Sequence, residues 1–283
     1  MASLEMSGDL HVVAHQPWPG SALAVSPDGA WVAVALPGRV VTARLPDLAD
    51  PHEIHVADVR SLAAIGPDRL ALAPHRGMLV IDDPVGTPHV AVRARGAGRV
   101  QLVAGPGGLL AAVGERAALP RATVVTRSDL GRRRGWTAGI TGATTAAWLS
   151  ARDLAVAAGE DLVLVREGVE DARAKRPLGE RITGLASVPG GVVVVGAGSH
   201  AVLHATAPRA ERSRLEVPPG AGRTVHAANG WLAVGTRSLG ERVQVHDVAA
   251  GRVICALRGV AGAVVAPPLV VATGREGTVV LAV

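Results

Sequence analysis

The chain has 283 residues, of which 48% are hydrophobic, with a formal charge of +5 and a pI near 10.9. A single cysteine, Cys255, excludes an internal disulfide framework and a cysteine-based zinc site, and no apolar run approaches the ~18 residues of a membrane helix. The start, MASLEMSGDLHVV, has neither the basic opening nor the apolar stretch of a signal peptide, so a soluble cytoplasmic protein is expected.

The first predicted element is an isolated strand, Leu10–His15 (LHVVAH). After it one pattern recurs: a short apolar strand, a tight turn and a second apolar strand. It reads SALAVSPDGAWVAVAL from Ser21, SLAAIGPDRLALA from Ser61, QLVAGPGGLLAAVG from Gln101 and TAAWLSARDLAVAAG from Thr145. It returns as GLASVPGGVVVVGAG from Gly184, VHAANGWLAVGT from Val225 and GAVVAPPLVVATG from Gly262. The seven starts, 21, 61, 101, 145, 184, 225 and 262, are spaced by close to 40 residues. A third strand follows each hairpin, as in VVTARL from Val40, LVLVRE from Leu162 and TVVLAV from Thr278. A more polar fourth strand comes next, such as HEIHV at His52 or RVICAL at Arg252. Four strands per ~40 residues is the signature of a propeller blade.

Runs such as VVVV and LVLV suit strands covered on both faces, and helical periodicity is weak throughout. The seventh copy ends at Val283 after three strands. Leu10–His15 is predicted to supply its outer strand and so remove an exposed sheet edge. The expected fold is therefore all-β: one seven-bladed β-propeller over residues 1–283, with four-stranded antiparallel blades.

LAVSPDGAWVAVA (Leu23 to Ala35) and RVQVHDVAAGRVICALRG (Arg242 to Gly259) resemble the strand patterns of WD-repeat proteins, and GREGTVVLAV at the end is similar. His246-Asp247 stands where that family has its Trp-Asp pair, and no blade carries the full Gly-His…Trp-Asp signature. The resemblance implies a rigid platform for partners, commonly proteins, rather than a particular reaction.

GVVVVGAGSHAVLH (Gly191 to His204) contains the G-x-G-x-x-A spelling of a dinucleotide-binding turn. That turn needs a helix directly after the glycines, whereas AVLHATA is β-leaning and ends at Pro208. Gly196 follows the second strand of its copy, as do Gly114, Gly159, Gly235 and Gly274. The expectation is a hairpin, with glycine supplying positive φ. No cofactor is expected.

His52 and His55 are three apart on a strand and point to opposite faces. His200 and His204 converge on nothing the spacing requires, so no metal site is expected. Neither a P-loop nor a G-x-S-x-G elbow occurs, and Cys255 sits in apolar VICAL, where an inert thiol is expected. Trp31 and Trp231 each open a second strand and are expected to pack.

Arginine carries the remaining signal. It outnumbers lysine 28 to 1, a bias that also fits a GC-rich bacterial genome. Connections between blades carry Arg60, Arg95, Arg99, Arg181, Arg223 and Arg258, and connections between second and third strands carry Arg39, Arg76, Arg116, Arg121, Arg237, Arg242 and Arg275. Both sets fall on one propeller face, with seven acids among them: Asp58, Glu115, Glu160, Asp161, Glu180, Glu241 and Glu276. Trp18 is placed at the rim as an aromatic anchor.

The expected function is a non-catalytic scaffold, a monomeric propeller within a complex, docking an acidic protein surface on this face. The alternatives are a propeller enzyme of lyase or hydrolase type, with Gln101 and His226 at the channel mouth, and a subunit of a regulatory or defence assembly. Without Phe or Tyr to stack on bases, nucleic acid would be held through phosphate contacts alone. No membrane partner is expected.

Overall fold

A computed structural model describes residues 5–75, 77–94, 100–116, 119–129, 134–174, 179–198, 200–205, 211–217, 221–236 and 242–283. The chain is all-β, with one short 3-10 turn at Pro106–Gly108, and its antiparallel sheets are arranged as a β-propeller. Among the described residues, strand pairing yields seven sheets in chain order. Their innermost strands are Ala22–Val25, Ser61–Gly66, Val100–Ala104, Ala143–Trp148, Ile182–Val188, Ala221–Ala228 and Val260–Ala266. These fall within about four residues of the starts read from the repeat. Five blades are recognised in the arrangement, against the seven expected. The sixth sheet departs from the four-strand form with five strands, and the four-stranded third contains an eleven-residue strand, Leu119–Asp129.

The packing follows from strand geometry. Successive side chains on a strand point to opposite faces, so a second strand flanked by two sheets must be apolar at every position. All six residues of Trp31–Leu36 are buried. Trp31, Ala33 and Ala35 join a cluster with Leu62, Leu70 and Ile81 of the second sheet. Val32, Val34 and Leu36 join one with Val264, Val271 and Val280 of the seventh. Gly191–Gly196 repeats the division, with Val193 and Val195 facing the sixth sheet and Val192 and Val194 facing the fourth. The described residues contain seven such apolar clusters, one at each junction between consecutive sheets, including the junction of the seventh with the first.

Hydrogen bonds stitch the same junctions. Trp31 Nε1 donates to the Pro67 carbonyl, and the Thr42 hydroxyl donates to the Pro84 carbonyl. The Leu102 amide donates to Ser61 Oγ at 3.0 Å, and Trp148 Nε1 donates to the Val103 carbonyl at 3.1 Å. The expected packing role of Trp31, which is 1% exposed, is thus observed; Trp231 is half-buried against the junction of the sixth and seventh sheets.

The chain ends meet as the sequence predicts, one residue displaced. His11–Gln16 pairs antiparallel with Thr278–Ala282, from His11 opposite Ala282 to Gln16 opposite Thr278. The chain then crosses to the first sheet through a tightly bonded passage. Thr273 Oγ1 accepts from the buried Gly20 amide at 2.9 Å, and Thr278 Oγ1 donates to the Trp18 carbonyl at 2.8 Å. Glycine is required at position 20, because a Cβ there would lie 2.5 Å from Val34 Cγ1. A second strand near the start was not expected: Glu5–Ser7 adds to the outer edge of the sixth sheet, beside Ala256–Arg258.

The glycine-rich stretch is a hairpin. Gly191–Gly196 pairs antiparallel with His200–Ala205, so a strand stands where a dinucleotide fold needs a helix. The role expected of its glycines needs correction. Of Gly114, Gly159, Gly196, Gly235 and Gly274, positive φ is found at Gly159 alone. Close approach explains Gly274, where a Cβ would lie 2.4 Å from the Gly259 carbonyl oxygen, whereas the atom nearest a Cβ on Gly196 is the mobile carboxylate of Glu180.

Candidate functional site

Antiparallel alternation brings every connection between second and third strands to the same end of the sheets as the connections between consecutive sheets. Arg39, Arg60, Arg181, Arg242, Arg258 and Arg275 therefore share one end of the fold. Arg76, Arg99 and Arg237 lie outside the described residues, as does the side chain of Arg223.

The arginines at this end differ in their electrostatic state. Arg39 pairs with Glu53 at 3.3 Å and Arg258 with Glu5 at 3.2 Å. Arg60, Arg181, Arg242 and Arg275 are exposed and make no ion pair among the described residues. Arg173 also reaches this end, because it stands opposite Val163 and bonds Asp161 at 3.3 Å as well as Glu170 at 3.0 Å. Its guanidinium is held above its ordinary pKa, first by the bond to Glu170.

Trp18 is half-buried and packs on the apolar junction between the seventh and first sheets, so its ring helps to seat the chain entering the first sheet.

A cleft of about 300 Å³ opens at the arginine end between the fifth and sixth sheets. Glu216 and Val217 form one wall; Arg242, Gln244, Ala256, Leu257 and Arg258 contribute to the other. Arg242 and Arg258 are direct cross-strand partners. Like charges in that position repel, and Glu5, opposite Arg258 on its other side, offsets part of the repulsion. Gln244 Oε1 is buried without a hydrogen-bond partner among the described residues, as is His246 Nε2 two positions along the same strand. Desolvation pushes the pKa of His246 down. Sequence reasoning named the two arginines but could not see the cleft, since their pairing depends on register and Glu5 lies some 250 residues away in the chain.

Gln101 is exposed on the innermost strand of the third sheet. His226 lies on the innermost strand of the sixth, where its Nδ1 accepts from the Val265 amide at 3.2 Å. That bond places any ring proton on Nε2, and desolvation lowers the pKa to about 4. The ring therefore stays neutral and spans the junction to the seventh sheet. Cys255 is buried, and desolvation pushes its thiol up to about 11. Among the described residues no group of three or more His, Cys, Asp or Glu side chains could hold a metal ion. No helix among them is long and apolar enough to cross a membrane.

Comparison with known proteins finds no family model that matches the chain and no curated protein similar to it.

Proposed function

We propose that the seven sheets are seven blades of one ring, and that the ring is a non-catalytic scaffold docking an acidic surface of another protein on its arginine end. The ring is supported by the seven apolar clusters, one per junction, and by the sharing of one sheet between the two ends of the chain. The docking role is carried by one observation: Arg60, Arg181, Arg242 and Arg275 lie at the same end of the sheets, exposed and unpaired among the described residues. A planar guanidinium suits carboxylates, and a rigid platform loses little conformational freedom on binding.

The test is affinity capture from the native host with wild type and an Arg60→Glu/Arg181→Glu variant. Both positions are exposed, so the variant is expected to melt with wild type while losing an acidic protein that wild type retains. Equal recovery of the same proteins by both would remove the arginine end from the interaction.

A further inference from the structure

The sixth sheet has an occupied edge. Its outer strand, Arg252–Arg258, would end the sheet, yet Glu5–Ser7 is added beyond it with Glu5 opposite Arg258, Met6 opposite Leu257 and Ser7 opposite Ala256. Three residue pairs make a marginal strand, and all three residues of Glu5–Ser7 are exposed. Gly8, at φ +109°, then turns the chain away, and a Cβ there would lie 2.7 Å from the Ile254 carbonyl oxygen. Charge adds to the backbone pairing at this edge. Arg242 and Arg258 face each other across the sheet, and Glu5 extends the row at 3.2 Å from Arg258. Arg242 keeps no ion pair among the described residues, and Gln244, which lines the cleft alongside, has its Oε1 buried without a hydrogen-bond partner among them.

We infer that this edge is a strand-addition site for an extended acidic segment of a partner protein, and that Glu5–Ser7 is its intramolecular occupant. The incoming segment pairs its backbone with Ala256–Arg258, as in other edge-strand additions, and sets a carboxylate on the Arg258–Arg242 row in place of Glu5. The inference deepens the scaffold reading and takes from it only that the partner is an acidic protein.

The probe is a fluorescein-labelled peptide of this chain's residues 1–9, added to full-length protein. Two variants unseat the resident strand: Glu5→Arg, by repulsion from Arg258, and Met6→Pro/Ser7→Pro, which removes amides on both sides of the strand. Saturable binding is expected to both variants, and roughly tenfold weaker binding to wild type, whose edge is filled. Adding Arg258→Glu to the Met6→Pro/Ser7→Pro variant is expected to weaken binding by about tenfold or more, with recovery by a peptide carrying Glu5→Arg. No saturable binding to either variant, equal binding to wild type, or indifference to Arg258→Glu overturns the inference. None of these results bears on Arg60 and Arg181, so capture through the wider face stands or falls separately.

Discussion

Replacing Thr273 by Val tests the passage that joins the ends of the chain. The side chain is 1% exposed, and Val has nearly its shape. Its hydroxyl accepts from the buried Gly20 amide at 2.9 Å and reaches the Trp18 carbonyl at 3.3 Å. After Thr273→Val the carbonyl retains Thr278 Oγ1, but the Gly20 amide has no acceptor left. One buried unpaired donor costs about 1–3 kcal/mol. For 283 residues the unfolding entropy is roughly 600 cal/mol/K, so a cooperative melt is expected to shift down by about 2–5 °C. Thr278→Val removes only one of two donors to the same carbonyl, and a fall of about half that size is expected. Differential scanning calorimetry of the two variants measures both. A Thr273→Val protein melting within ~1 °C of wild type would mean that Gly20 is not sealed in this passage, and would refute the bonding described here.

Two further predictions concern charge. Arg69 and Asp82 pair across the second sheet at 2.7 Å, and the matching positions of the fourth sheet hold Asp153 and Arg166 at 2.8 Å, with the signs exchanged. In these two sheets the position holds opposite charges with no fixed polarity. Arg69→Ala is expected to cost up to about 1 kcal/mol in urea unfolding, while the exchanged pair Arg69→Asp/Asp82→Arg restores most of it. The bond from Arg69 holds Asp82 below its ordinary pKa, so this pair contributes above the usual carboxylate range and its contribution fades as the pH drops through the depressed value.

His226 acts over a different window. Its folded pKa of about 4 lies below the ordinary 6.5, so the unfolded chain binds more protons between those values. Stability is expected to be full above pH 6.5 and to decline towards pH 4, with a flatter profile for His226→Gln; an unchanged slope in that variant would remove His226 as the cause.

The fold was legible where a feature repeats or alternates. The strand–turn–strand unit recurs seven times, and runs such as VVVV, buried on both sides, match strands clamped between sheets. Leu10–His15 stood out because it was apolar and had no copy of its own. Glu5–Ser7 left no such trace: Glu-Met-Ser has no apolar alternation, and its partner strand begins almost 250 residues later. The glycines were read by conformational preference, but Gly274 is held by the approach of the Gly259 backbone, a neighbour from another segment of the chain. The arginine end was legible because antiparallel topology alone assigns loops to ends. Which arginines are neutralised was not, since Arg39 with Glu53 and Arg258 with Glu5 depend on register.

The claim on which the rest depends is that the first and last strands lie side by side. Cysteines at His11 and Ala282, which face each other across that pair, test it directly. Directly opposed residues on antiparallel strands lie about 4.5–5.5 Å apart at Cα, within disulfide range. Under mild oxidation a single intramolecular link between positions 11 and 282 is predicted, read by mass spectrometry of the digested protein, while buried Cys255 stays free. Two unlinked, freely alkylated thiols in a folded monomer would contradict the account.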